Sequence, residues 1–168
     1  MKCNDIKYII HPISIKKVDD RLLRGSAVIT TGKMRTLKDE GVTQIIDLRE
    51  NTNILGIFLK KIEQLYCKIF NINYVEKPSI LKGNSIPDEN YYNDINTTIK
   101  NNNGKTYIHC FWGSHRTGFC VAMYEKESKK NHNEIINELM AESYNDKIDN
   151  QALTEILNTF LKKYFDKK

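Results

Sequence analysis

Short β-branched runs alternate with longer stretches of helical periodicity along the chain. Ile6 to Ile10 and Ile13 to Val18 predict two strands ahead of Arg21-Leu22-Leu23-Arg24-Gly25-Ser26. Thr30 or Thr31 offers a hydroxyl cap for a helix to about Glu40, with Met34 and Leu37 on its inner side and Gly41 ending it. Val42 to Leu48, VTQIIDL, is nearly all apolar and predicts a buried strand of a parallel sheet. Between Ile54 and Phe70, the residues Ile54, Leu55, Phe58, Ile62, Leu65, Tyr66, Ile69 and Phe70 recur at helical spacing, the mark of an amphipathic helix.

Ile72 to Val75 predicts another strand, stopped by Pro78, and Ser79 to Asn84 a polar loop. Ser85-Ile86-Pro87-Asp88 has the form of a helix start, with Ser85 as cap, proline in the first turn and an acid three residues on. That helix runs to about Lys100, and Asn101 to Gly104 turn the chain into a central strand at Tyr107 to His109. Helices follow at Phe119 to Glu127, Glu134 to Ala141 and Gln151 to Tyr164. Strands alternating with helices specify an α/β layer fold around a mainly parallel sheet, with a helical C-terminal half. The 168 residues fit one domain, with a core over about 18–127 and C-terminal helices over 128–168.

Composition narrows the class. No apolar run approaches the roughly 20 residues of a membrane span, and the N-terminus lacks the pattern of a signal peptide. The expectation is a soluble, cytoplasmic protein. The net charge of +5, carried mostly by lysine, reads first as compositional bias and second as attraction toward anionic substrates. No basic block argues for nucleic acid. Cys3, Cys67, Cys110 and Cys120 form no CxxC pair and have no histidine at zinc spacing, so neither metal nor cofactor is expected. Cys67 and Cys120 lie among apolar residues, as small core side chains do.

The chemistry concentrates in Thr106 to Gly118, TYIHCFWGSHRTG. A strand ends in Cys110, and a short loop leads through Phe111, Trp112, Gly113, Ser114 and His115 to Arg116, Thr117 and a helix start. Loop amides and a helix N-terminus converge on such a loop and make an anion site. Cys110 is the candidate nucleophile, and Arg116 can bind two phosphate oxygens with its planar fork. Gly113 permits the tight curl. The hydroxyl of Ser114 or Thr117 can reach the Cys110 sulfur. His109 is placed to hold the loop rather than to attack, and Trp112 either walls the pocket or packs under the loop. These residue types suit hydrolysis of a phosphate monoester through a phosphocysteine.

HCFWGSHRTG resembles the HCxxGxxRTG signature of the cysteine-dependent tyrosine and dual-specificity protein phosphatases. LLRGS followed by GVTQIIDLRE is similar to the entry segment of their compact dual-specificity branch. GSHRTG resembles the loop ending of the plant-and-fungi atypical group, which includes inositol pyrophosphate phosphatases. That group usually has basic residues where Trp112 and Ser114 stand. The resemblance spans about Val18 to Glu127. It implies a four- or five-stranded sheet with helices on both sides, metal-free hydrolysis and a phosphocysteine intermediate.

In the resembled enzymes an aspartate about thirty residues before the cysteine protonates the leaving oxygen, and no aspartate stands there. Glu76 and Asp88 are the candidate acids, followed by His115. Asp47, Arg49 and Arg24 are expected near the loop, as ion pairs supporting the fold or as substrate contacts. The leading reading is a phosphatase of phosphotyrosine, phosphoserine or phosphothreonine proteins. A phosphatase of inositol phosphates or phosphoinositides and a non-catalytic phospho-binding module are the alternatives. The partner is then a phosphorylated protein or a small anionic phosphate ester.

Overall fold

Successive side chains leave a strand on opposite sides, and here both sides meet apolar layers. The computed structural model describes residues 15–51, 53–79, 86–128, 130–144 and 151–166. Strand β1 (Ile15–Lys17) runs antiparallel to β2 (Leu22–Gly25). β2 lies parallel to the central β5 (Lys105–His109), which is flanked on its other side by β3 (Val42–Asp47) and then by β4 (Asn73–Glu76). This is the mainly parallel α/β sheet expected from the strand–helix alternation.

Leu23, Ile45 and Tyr107 enter the layer formed with α1 (Thr31–Asp39) and α2 (Ile54–Ile69). Their neighbours Leu22, Ile46 and Ile108 enter the opposite layer, built by α3 (Glu89–Lys100), α4 (His115–Glu127), α5 (His132–Tyr144) and α6 (Gln151–Tyr164). Thr30 caps α1 by accepting from the Lys33 amide at 3.3 Å, and Gly41, at φ +83°, ends it.

Several boundaries differ from the sequence expectation. Leu22–Gly25, which carried no strand assignment, is a fully buried strand; Arg24 and Gly25 disguise it, yet both are buried against the catalytic-loop candidate. α3 begins at Glu89, and Asp88 rather than Ser85 supplies the cap, accepting from the Tyr91 amide at 3.0 Å. α4 begins at His115, four residues before Phe119, so its N-terminus lies within the loop itself. Ile6 to Ile10 and residues 80–85 lie outside the described residues.

α2 buries an unexpected face. Its fully buried side chains are Lys60, Glu63 and Cys67, whereas Ile54 is 88% exposed, Phe58 59% and Ile69 65%. The cause is a charged cluster beneath the helix. Arg49 donates Nε and Nη2 to both oxygens of Asp47 at 2.9 and 2.8 Å and pairs with Glu63. Lys60 Nζ donates to the Arg49 carbonyl at 3.0 Å and to Glu76 at 3.2 Å. Buried charges require partners, and only the polar face of α2 provides them. Glu63→Ala is therefore expected to lower the unfolding free energy by about 3–5 kcal/mol, because it leaves Arg49 undercompensated. Leu65→Ser, on the exposed face, should change it by less than about 0.5 kcal/mol. Urea unfolding of the two variants measures the difference.

Candidate active site

The parallel strands β2, β5 and β3 end together, and the loop after β5 opens at that end of the sheet. Cys110 follows β5 directly and is 5% exposed. The Gly113 amide donates to its sulfur at 3.3 Å, which turns the loop back over the cysteine. Gly113 has φ +88°, and a Cβ there would lie 2.4 Å from the Gly25 carbonyl. No other residue fits that contact.

The end of β2 clamps the loop from outside. Arg24 Nη2 donates to the carbonyls of Gly113 at 2.7 Å and Ser114 at 3.3 Å. The Ala27 amide donates to the Phe111 carbonyl at 3.0 Å. Behind Ser26, Lys33 Nζ and the Tyr107 hydroxyl each donate to its carbonyl at 2.7 Å. Burial pushes the Lys33 ammonium down to about 8, with Glu63 acting in the opposite direction.

The charged cluster supports the loop from beneath. His109 Nδ1 lies 2.9 Å from the Cys110 carbonyl, which can only accept, so Nδ1 carries a proton. Its Nε2 faces Glu63 Oε1 at 2.9 Å without hydrogen-bond alignment. Burial alone would raise the Asp47 carboxyl; His109, Arg49 and Tyr74 outweigh it and bring it down to about 2. Asp47, Glu63 and His109 have donor atoms within 4.8 Å of one another, but Arg49 binds both carboxylates and Lys60 Nζ stands 3.9 Å from Asp47. Side-chain cations already perform the neutralisation that a metal would.

Arg116 projects from the first turn of α4 into a pocket of about 310 Å³, shared with Arg49, Glu50, Asn53, Leu55 and Phe111. Its Nη2 donates to Glu50 Oε1 at 3.1 Å, while its buried Nε–H has no acceptor among the described residues. That donor is left available to an oxyanion. Trp112 is 38% exposed and meets Phe111 edge-on at 4.8 Å, so it stands at the rim. The buried Thr117 hydroxyl has no partner among the described residues, and it is the Gly113 amide that reaches the sulfur. A larger cleft of about 560 Å³ opens between Thr43, Gln44, Asn73 and Asn102. Its side chains are amides and hydroxyls, whereas the smaller pocket carries Arg116 and, in Phe111, the neighbour of Cys110.

The candidate acids are dispersed. Glu76 accepts from Lys60 at 3.2 Å and from Gln64 at 2.7 Å, and Asp88 is the α3 cap. Glu50, to which the sequence reading gave no role, is the carboxylate that meets Arg116. It directly follows Asp47-Leu48-Arg49, so its only signal is adjacency to a strand end that gathers at the loop.

No protein-family model and no curated protein sequence matches the chain. Solved structures do. P. aeruginosa TpbA superposes with a TM-score of 0.66 at 15% identity, covering 89% of this chain and 86% of its own. The core catalytic domain of the PP-IP phosphatase SIW14 from S. cerevisiae gives 0.67 at 16%, with coverages of 90% and 87%. Kinase associated phosphatase gives 0.62 at 18%, with 94% and 99%. The fold is that of the cysteine-dependent phosphatases.

Two measurements probe this geometry. Gly113→Ala is expected to cost about 1–3 kcal/mol in thermal unfolding, because the loop must leave its positive φ and its contact with Gly25. For Asp47, the folded carboxyl titrates near 2 against an ordinary 3.8. Its stabilisation is present above the ordinary value and is lost as pH falls through that window, on the order of 2 kcal/mol in all. Asp47→Asn should flatten the acid limb of the stability–pH curve between about pH 4 and 2.

Proposed function

We propose that this chain is a phosphoric monoester hydrolase that works through a phosphocysteine at Cys110. The observation that carries the reading is the Gly113 amide on the Cys110 sulfur, in a loop that ends on the N-terminus of α4, where Arg116 projects into a pocket that Phe111, next to Cys110, also lines. The sulfur attacks phosphorus, a P–S bond forms and the P–O bond to the leaving group breaks. Arg116 and the loop amides hold the equatorial oxygens as charge redistributes. The departing oxygen takes its proton from solvent; water then attacks phosphorus and gives up a proton, the P–S bond breaks, phosphate leaves and the thiolate returns.

Glu50 is assigned a positioning role. By accepting from Nη2 it fixes the guanidinium plane and leaves Nε–H for the phosphate. Leu55, Leu59 and Phe111 give the pocket an apolar wall, which suits the ring of a phosphotyrosine side chain. A cysteine-to-serine variant of TpbA is known in complex with pTyr, and its fold likeness supports the same reading. The second reading, inositol phosphates, draws support from the likeness to the PP-IP phosphatase SIW14. Glu50 and the apolar wall weigh against it, because a polyphosphate requires cations around the pocket. The hydrolysis takes place in the cytoplasm on this reading, and the substrates are phosphorylated proteins.

Release of phosphate from p-nitrophenyl phosphate and from a phosphotyrosine peptide tests the proposal. Cys110→Ser should abolish turnover, and Arg116→Lys should lower kcat/KM by on the order of 10²- to 10³-fold. Glu50→Gln should raise KM and lower kcat together, whereas Glu76→Gln and Asp88→Asn should stay within a few-fold of wild type. Tight phosphopeptide binding without any turnover by the wild-type protein would instead establish a binding module. Phosphate release from inositol phosphates but not from the peptide would favour the second reading.

A further inference from the structure

The inverted seating of α2 leaves an apolar ridge on the outside of the molecule. Ile54, Leu55 and Phe58 in its first turns are 88%, 63% and 59% exposed, and Leu65 and Ile69 continue the ridge at 54% and 65%. Contiguous apolar patches of this kind on soluble proteins mark contact sites. The ridge runs into the candidate active site, because Leu55 and Phe111 line the same pocket. Phe111 and Trp112, 39% and 38% exposed, extend the apolar surface across the loop. The exposed charges on α2 are Lys61 and Lys68; its only acid, Glu63, is buried under the helix.

We propose that α2, with Phe111 and Trp112, docks the protein on a bilayer containing anionic phospholipids. A single exposed helix is convex, and a deformable lipid interface accepts a ridge of aliphatic side chains to a depth of about 5–10 Å. Lysines beside an apolar face, in a chain of net charge +5, match an anionic headgroup layer. An aromatic pair at the end of the ridge suits the headgroup boundary. A bilayer docked there sets the pocket mouth against the headgroup layer, so phosphate monoesters carried by membrane-bound proteins come within its reach. This last consequence rests on the proposed hydrolase activity; the docking does not.

Cosedimentation with vesicles tests it. Wild-type protein should pellet with vesicles of phosphatidylcholine mixed with phosphatidylserine, and less with phosphatidylcholine alone or at raised salt. The Ile54→Ser/Phe58→Ser double variant should bind more weakly by on the order of tenfold or more. These two residues do not line the pocket, so turnover of p-nitrophenyl phosphate by the variant should match wild type and reports that it is folded; circular dichroism serves the same purpose if neither protein turns over. Failure of the wild type to pellet with either vesicle would overturn the proposal, as would equal binding by the variant. A concentration-dependent dimer in light scattering, lost in the double variant and unaccompanied by vesicle binding, would also overturn it and make the ridge a contact between copies.

Discussion

The buried pairing of Arg49 with Asp47 and Glu63 is the interaction on which the arrangement rests. Removing these charges from water costs several kcal/mol per ion, and only close geometry offsets that. The partners come from different elements: Asp47 ends β3, Glu63 and Lys60 project from α2, Tyr74 belongs to β4 and His109 ends β5. Their pairing therefore fixes strand ends and helix together. Such a cluster tolerates little register error, and register is what brings His109 beneath the Cys110 carbonyl.

The reactive loop is held by contacts of another kind. Arg24 and the backbone at Gly25 meet it from β2, the Ala27 amide meets it just beyond, and the missing side chain of Gly113 lets two backbones touch. Charge below and backbone above hold the cysteine beside the Gly113 amide and Arg116 beside Glu50. Preorganisation of this sort matters because donors already aimed at an oxyanion need not reorient when charge develops.

Much of this was legible in the chain. A nearly unbroken apolar run located β3, helical spacing of apolar residues located α2, and cap and end residues located α1. The spacing from Cys110 to Arg116 made the loop readable, because its chemistry depends on residue types at fixed offsets. β2 escaped notice, since Arg24 and Gly25 look like loop residues until the loop they clamp is present. The orientation of α2 escaped for a related reason. Its apolar periodicity is genuine, but Lys60 and Glu63 acquire partners only when β3 and β5 arrive from elsewhere in the sequence. Glu50 was invisible because nothing local distinguishes a carboxylate that meets an arginine 66 positions away.

α4 is buried without interruption from Thr117 to Glu125. A helix so enclosed cannot swing or fray independently of the core around it. The loop that leads into it belongs to the same cooperative unit as the sheet. The amide hydrogens of that helix would then exchange with solvent only when the whole molecule opens, whereas the loop amides, outside its hydrogen-bond ladder, would exchange from the native state. The rigidity that shapes the anion site also makes its integrity a direct report on global folding: the chain loses the site when it loses the fold, and not before.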